Sequence, residues 1–144
     1  MRALLDVNVI IALLDPDHDF HQRVHGWWAS HASSGWASSP ITQNGVIRIM
    51  SHPSYNPRRA MSPGEVIETL QRFVQATDHQ FWPDRVSLLD ASTVQAARVL
   101  GPRQITDLYL LALAVDCGGH LVTFDESIHL AAVPRARKEQ LTVV

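Results

Sequence analysis

Three aspartates stand at the junctions between predicted strands and helices. Asp6 follows the apolar run 3–5, Asp125 follows the apolar run 120–124, and Asp107 lies in the first turn of an apolar helix. Residues that come directly after parallel strands lie at one edge of a sheet, and right-handed connections return the chain to that edge. We therefore expect the three carboxylates to converge. At ~4 Å and an effective dielectric constant of about 20, each pair would repel by about 4 kcal/mol.

A divalent cation among these carboxylates would remove the repulsion. Carboxylate oxygens with several waters are the usual environment of Mg²⁺ and Mn²⁺ in proteins. Such an ion can lower the pKa of a bound water and polarise a phosphoryl oxygen. Asp6, Asp107 and Asp125 are therefore the predicted metal ligands and catalytic residues, with Mg²⁺ or Mn²⁺ as cofactor. For any one of them alone, a simple helix N-cap is an equally good interpretation, because aspartate is a favoured cap.

Other titratable side chains fit a cation site less well. Asp116 lies nine residues beyond Asp107, which places it on the opposite face of the same helix at about 100° per residue. His21 and His25 are four residues apart and could hold a metal, but no carboxylate or cysteine completes a set. We therefore interpret Asp116 as a surface residue and the two histidines as part of a solvated helix face.

The composition predicts one globular domain over residues 1–144. Hydrophobic residues make up 46% of the chain and charged residues 18%, which suits a domain with a substantial core. The formal net charge of −2 means that any nucleic-acid binding must be local. The single cysteine, Cys117, excludes an internal disulfide and fits a reducing compartment, so we expect a cytoplasmic protein. No apolar stretch is long enough to cross a bilayer, and Asp6 and Asn8 interrupt the first apolar run, so neither a membrane span nor a signal peptide is predicted.

Strands and helices are predicted to alternate along the chain. This alternation predicts an α/β fold with a mostly parallel sheet between layers of helices. Strands are expected at residues 3–5, 36–39, 80–82, 120–124 and 141–144. Helices are expected at residues 9–14 and 18–32, after Thr42, after the capping box of Ser62 and Glu65, at 91–100 after Asp90, and at 107–115 after Thr106.

Several features permit two interpretations. Gly45 inside a predicted helix indicates either a close approach by another element or a tolerated glycine. Arg58 and Arg59, in the loop 52–61, are either phosphate contacts or ordinary solvated cations. The tryptophans could stack nucleic-acid bases, although core or interface packing is the better interpretation for most of them: Trp27, Trp28, Trp36 and Trp82.

Four segments carry a resemblance to a known family. They are LLDVN at residues 4–8, PITQNGVIR at 40–48, TDLYLLA at 106–112 and LVTFD at 121–125. Together, in this order and spacing, they resemble a PIN domain and, more narrowly, the VapC-type toxins of type II toxin–antitoxin pairs. Each segment alone is a weak match, whereas the ordered set spans nearly the whole chain.

The resemblance implies a PIN-like three-layer sandwich that binds Mg²⁺ or Mn²⁺ and hydrolyses RNA. It also implies a cognate VapB-type antitoxin and a homodimer. Asp6, Asp107 and Asp125 match acidic positions of the family, and Asn8 and Thr123 match polar positions beside the first and last acids. The site is thus expected to cut RNA in single-stranded or looped segments, whose backbone can bend into a groove.

One position departs from the family pattern. A further acid, commonly glutamate, is expected in the helix after the second strand, and the matching residue is Gln43, followed by Asn44. An amide oxygen can accept a water but carries no charge, so we hypothesise weaker cation binding or one ion instead of two. Arg48, one turn beyond Asn44, is a candidate phosphate contact or a surface ion-pair residue.

Two other function classes compete with this interpretation. A haloacid-dehalogenase-like phosphohydrolase needs a second aspartate where this chain has Asn8, and a suitably placed lysine, whereas Lys138 is the only lysine. A PIN-like binding module with a weakened nuclease, retained to bind antitoxin or RNA, is the main alternative because of Gln43. Metal-dependent cleavage of RNA that Asp6→Ala abolishes would separate enzyme from module.

Overall fold

A five-stranded parallel sheet forms the centre of the computed structural model, which describes all of residues 1–144. The strands lie in the order β3-β2-β1-β4-β5, and each neighbouring pair is parallel. Their bounds are Ala3–Leu5 for β1, Trp36–Ser38 for β2, His79–Phe81 for β3, His120–Thr123 for β4 and Leu141–Val143 for β5. The expected α/β sandwich is therefore confirmed, and the sheet is wholly parallel.

The strand order of the sheet changes direction between β1 and β4, which makes this the topological switch point. The strands β2 and β3 are added on one side of β1, whereas β4 and β5 are added on the other. At such a switch point the connections leave in opposite directions and open a crevice beyond the carboxyl ends of the strands. Asp6 follows β1 and Asp125 follows β4 by two residues, so both acids lie at this crevice.

Five α-helices cover the two faces of the sheet. Their bounds are Val7–Leu14 for α1, His21–His31 for α2, Pro40–Met50 for α3, Pro63–Ala76 for α4 and Ile105–Asp116 for α5. The first four pack in one core with Leu5 and Val122, and α5 packs in a second core with Leu4 and Leu121. Adjacent residues of one strand thus serve opposite cores, as the two-residue period of a strand requires. None of the helices is both long and apolar enough to span a membrane.

A close contact between α1 and α3 explains Gly45. A Cβ atom at this position would lie 2.7 Å from Cγ2 of Val7, which is too short for a real contact. Glycine therefore lets the two helices approach beside the carboxyl edge of the sheet. The expected close approach to Gly45 is confirmed, but the neighbour is the Val7 side chain and not another backbone.

The start of α3 differs from the prediction. Its N-cap is Ser39, and Thr42 forms the other half of a capping box: Ser39 Oγ accepts from the Thr42 N–H, and Thr42 Oγ1 accepts from the Ser39 N–H. Pro40 is accommodated because the first helical position has no intrahelical use for an N–H. The helix therefore begins earlier than a cap at Thr42 would allow.

The helix predicted at residues 91–100 is absent. This segment consists of turns and one short 3-10 helix, Ala96–Arg98. Asp90 Oδ1 accepts from both the N–H and the hydroxyl of Ser92 at 2.8 Å, a local turn that competes with helix formation. Little packing opposes it, because Leu89 is 97% exposed and Leu100 is 72% exposed.

Two other helix starts also differ. The helix α2 begins at His21 and not at residue 18, because residues 15–20 form hydrogen-bonded turns. Thr106 lies within the first turn of α5 instead of capping it, since the 3-10 helix Pro102–Gln104 leads directly into Ile105.

Candidate active site

Asp6 is both a helix cap and the most buried acid of the crevice. Its Oδ1 accepts the N–H of Val7 at 2.7 Å, and its Oδ2 accepts the hydroxyl of Thr123 at 2.8 Å. The residue is 9% exposed. Burial raises the pKa of Asp6, the hydrogen bonds from Thr123 and Val7 oppose that rise, and the charge of Asp125 adds to it. The Asp6 side chain therefore caps α1 and also lies within electrostatic reach of Asp125.

Asp125 is the most solvated member of the three. Its Oδ1 accepts the N–H of Ser127 at 2.7 Å and the hydroxyl of Ser127 at 2.6 Å. These hydrogen bonds stabilise the charged form and lower the pKa of Asp125, and a contact with the Asp107 carboxyl acts in the same direction. Asp125 is therefore ionised near neutral pH, which makes it a ready anionic ligand.

Asp107 carries the largest electrostatic perturbation of the crevice. It lies half-buried in the first turn of α5. Burial, together with the charges of Asp6 and Asp125 and a hydrogen bond to Asp125, raises the pKa of Asp107 to about 7. The three acids therefore influence one another electrostatically, and their convergence on one ion stays a prediction. Without a cation, Asp107 is partly protonated near neutral pH.

The donor chemistry of this cluster suits a hard divalent cation. Asp6 and Asp125 both act on Asp107, and the cost of bringing these charges near one another is expressed in the raised pKa of Asp107. As they stand, no three acidic, histidine or cysteine side chains are arranged to hold a metal ion. An ion here would therefore need water among its ligands, as Mg²⁺ commonly does, and Asp107 would lose its proton on binding it.

Comparison with known proteins identifies the family. The sequence profile of the PIN domain matches residues 3–134. The chain is 47% identical over 144 residues to Ribonuclease VapC44 of Mycobacterium tuberculosis, with all of both chains covered. It is 35% identical over 144 residues to Ribonuclease VapC38 of the same organism, with 99% of each chain covered. The chain belongs to the PIN domain family, among the VapC proteins.

Two solved structures share the PIN fold with this chain. A VapBC2 complex from Rickettsia felis, bound to a DNA fragment from its promoter, matches with a TM-score of 0.60 at 14% identity, covering 100% of this chain and 99% of the other. A DNA-bound VapBC complex from Salmonella typhimurium matches with a TM-score of 0.54 at 15% identity, covering 100% and 97%. At these identities the likeness concerns the fold alone.

Of the residues predicted to support the acids of this PIN domain, one contacts them and the others do not. Thr123 contacts the acids directly, through Asp6 and the backbone of Asp125. Gln43 instead donates from Nε2 to Ser38 Oγ at 3.0 Å. The remaining candidates are exposed, and no hydrogen bond or ion pair joins them to the acids: Asn8, Asn44 and Arg48.

Several side chains outside the cluster have structural tasks. His21 Nδ1 bonds the carbonyl of Ala12 at 2.7 Å, and His25 Nε2 bonds that of Leu13 at 3.1 Å, so the two rings satisfy the end of α1. The prediction of a solvated histidine face is therefore right in part, because His25 is exposed, but it missed the carbonyls that both rings bond. Asp116 is held by Arg85 at 2.7 Å, away from the acids as expected.

The aromatic residues divide between the core and the edge of the sheet. Trp36 and Trp82 are buried, and Trp27 and Trp28 pack against the main core, so core packing is confirmed for the tryptophans. The exposed aromatic surface near the acids comes instead from Phe20, which contacts Phe124. The one sequence signal for this surface is the place of Phe124 between Thr123 and Asp125.

Proposed function

We propose that this chain is a metal-dependent endoribonuclease and the toxin of a type II toxin–antitoxin pair. The observation that carries the proposal is the place of Asp6 and Asp125 at the switch point of the sheet, where burial and the charges of both acids raise the pKa of Asp107 to about 7. Full-length identity of 47% to a protein named as a ribonuclease supports the substrate class.

Each acid has a separate part in the proposed hydrolysis. Mg²⁺ or Mn²⁺, when bound, supplies Lewis acidity that activates water and polarises the phosphodiester. Asp6, held by Thr123 and the Val7 N–H, is the rigid ligand, and Asp125 is the ligand that is already ionised. Asp107, half-buried at the start of α5, completes the proposed ligand set, and one of the three carboxylates accepts the proton of the attacking water.

The proposal extends to partners and location. The two structural neighbours are VapBC complexes, which supports a cognate VapB-type antitoxin for this chain. We further propose a homodimer that acts in the cytoplasm, where RNA is accessible. Light scattering on the purified chain, alone and co-purified with the product of the adjacent antitoxin gene, tests both assemblies; a monomer that no antitoxin binds would contradict them.

Cleavage of single-stranded RNA by the purified chain is the test of the activity. We expect cleavage in Mn²⁺ or Mg²⁺, none in EDTA, and a loss of at least about a hundredfold in Asp6→Asn, because a ligand charge is removed from a preorganised site. Asp116→Asn is the matched control, since this acid lies on the same helix as Asp107 but pairs with Arg85. Its cleavage rate should equal that of the unmodified chain.

The outcomes separate the competing functions. Cleavage that persists in EDTA or in Asp6→Asn would contradict the metal scheme. A chain that binds antitoxin and Mn²⁺ but cleaves no RNA would instead support the binding module. Equal loss of activity in Asp6→Asn and Asp116→Asn would indicate a general effect of charge on the fold.

A further inference from the structure

An aromatic cluster lies at the carboxyl edge of the sheet beside the acids. The rings of Phe20 and Phe124 meet edge to face, with centroids 4.9 Å apart. His18 lies 5.9 Å from Phe20 and 6.2 Å from Phe124, centroid to centroid. Phe20 is 39% exposed, so part of its ring is open to solvent.

The backbone ties this cluster to the acid site. Phe124 lies between Thr123, which holds Asp6, and Asp125 itself. Consecutive Cα atoms are about 3.8 Å apart, so the aromatic surface begins one residue from the reacting centre. Phe20, whose ring centroid lies 4.9 Å from that of Phe124, is thus the exposed aromatic side chain that this contact ties to the segment carrying Asp125.

Hydrogen bonds hold Phe20 in its outward position. His18 Nδ1 accepts the N–H of Phe20 at 3.0 Å, and Asp15 Oδ1 accepts the N–H of Asp17 at 2.9 Å. The hydroxyl of Tyr55 donates to Asp15 from across the fold. The turn that carries Phe20 is therefore anchored to the rest of the domain. Binding at Phe20 should thus lose little conformational entropy, because the turn is already ordered.

A cation accompanies the aromatic surface. The guanidinium carbon of Arg23 lies 5.3 Å from the centroid of the Phe20 ring. Arginine planes stack on nucleobases and pair with phosphates, and aromatic rings stack on any base. A ring beside an arginine thus matches the two parts of a nucleotide. Of the acids in this turn, Asp17 is partly offset by Arg59 at 3.9 Å, and Asp19 remains exposed.

The extent of the apolar surface favours a single base over a protein partner. The residues around Phe20 are polar and exposed: Asp17, Asp19, Gln22 and Arg23. A protein interface needs a larger apolar centre with a polar rim around it. Here the exposed aromatic surface is the single ring of Phe20 with Arg23 beside it, and a phenyl ring is about the size of a nucleobase.

We propose that Phe20 and Phe124, with Arg23, form a subsite that stacks one base of single-stranded RNA next to the scissile phosphate. The proposal rests on the proposed ribonuclease function, because it assigns a substrate contact to that site. It assigns Phe20 as the stacking surface and Arg23 as the group that pairs with the adjoining phosphate. The stacking does not read base identity, since every base has an aromatic face.

Binding of RNA that lacks single bases tests this subsite. Asp107→Asn serves as a background that binds without cutting, and the probe is a short unstructured RNA, intact or with one base removed at each position in turn. We expect one position where removing the base weakens binding on the order of tenfold. In Phe20→Leu the intact RNA should bind on the order of tenfold more weakly, and the same base removal should then cost nothing.

Two further variants keep the result interpretable. Phe20→Tyr retains the ring and should restore both the affinity and the sensitivity to base removal. Phe81→Leu removes a ring that is 52% exposed on the edge strand β3, and should leave both unchanged. Equal melting temperatures among the variants would show that Phe20→Leu acts on binding and not on folding.

The failures of the two proposals are distinguishable. If the unmodified chain cleaves RNA but Phe20→Leu keeps the full penalty for base removal, the subsite is overturned and the ribonuclease stands. If Phe20→Leu binds RNA normally but loses antitoxin, the surface belongs to a protein partner and the subsite is likewise overturned. If the unmodified chain cleaves no RNA under any metal condition, the proposed function itself fails.

Discussion

The hydroxyl of Thr123 joins two of the three site aspartates. It donates to Asp6 Oδ2 at 2.8 Å and accepts the backbone N–H of Asp125 at 3.1 Å. Thr123 ends β4 beside β1, and the parallel register of these strands pairs Leu5 with Val122, so the next residues of both strands are side by side. One fully buried hydroxyl therefore fixes the orientation of one acid and the backbone position of another.

Replacing Thr123 by valine should disable the site without unfolding the chain. Valine keeps the shape but leaves Asp6 Oδ2 without its donor, and hydrogen bonds to charged groups are worth about 1.5–3 kcal/mol. We expect RNA cleavage to fall by about ten- to a hundredfold and the pKa of Asp6 to rise further. Thr123→Ser retains the hydroxyl and is the matched control. Equal cleavage rates for the two variants would show that the hydroxyl is dispensable.

The stability of the metal-free protein should depend on Asp107. Its pKa is raised from an ordinary 3.8 to about 7 in the folded state, so folding favours its protonated form. The resulting stability is complete below pH 3.8, is lost as the pH rises, and is gone above about pH 7. Denaturant unfolding in EDTA should therefore show the unmodified chain losing stability relative to Asp107→Asn across this range. Parallel curves for the two proteins would contradict the raised pKa.

Gly45→Ala should destabilise the chain through its contact with α1. The new Cβ would lie 2.7 Å from Cγ2 of Val7, and overpacking of this kind typically costs about 1–3 kcal/mol. Val7→Ala should relieve part of the loss in the double variant. Gly26→Ala is the control, because nothing lies within 4 Å of its Cβ position and the helix gains propensity. Thermal unfolding measures all four, and a fully additive double variant would exclude the contact.

The sheet and the place of two acids at its carboxyl edge were predictable because both depend on local patterns. Short apolar runs ending in polar residues specify buried parallel strands, and Asp6 and Asp125 are tied to the ends of two of them. Asp107 follows from the same logic, since a helix start returns to that edge. The wholly parallel order and the position of Thr123 against Asp6 required the pairing of β1 with β4, which no single segment encodes.

The incorrect predictions have two causes. Some residues have hydrogen-bond partners that are distant in sequence, and in one segment a local turn is favoured over the predicted helix. His21 and His25 have the spacing of a solvated face, yet the end of α1 supplies carbonyls that they bond. Residues 91–100 have helical composition, but they form no α-helix, because the Asp90 turn competes with it and Leu100 stays exposed instead of packing in the core. Phe20 has the spacing of an apolar helix face with Val24, but it precedes α2 and is exposed, and its ring contacts Phe124.

Gln43→Glu should change the protonation of His79. Gln43 Nε2 donates to Ser38 Oγ, so the Ser38 hydroxyl proton is free to be donated to a neutral His79 Nε2, 2.7 Å away. A carboxylate would take that proton instead, so His79 would have to donate to Ser38. The pKa of His79 is now lowered, first by burial and then by Arg2, and we expect it to rise in the variant. An NMR titration of the histidines measures this, with Gln43→Leu as the control that adds no acceptor.

The same substitution tests whether Gln43 weakens cation binding. A carboxylate released from Ser38 could add a charge to the cluster, which would tighten Mn²⁺ binding because each carboxylate ligand contributes attraction to a divalent ion. Calorimetric titration should then give a lower Kd for Gln43→Glu than for the unmodified chain, with Asp116→Asn unchanged. Equal Mn²⁺ affinity together with a raised pKa of His79 would mean that the new carboxylate stays on Ser38, and the hypothesis of a charge missing at Gln43 would be wrong.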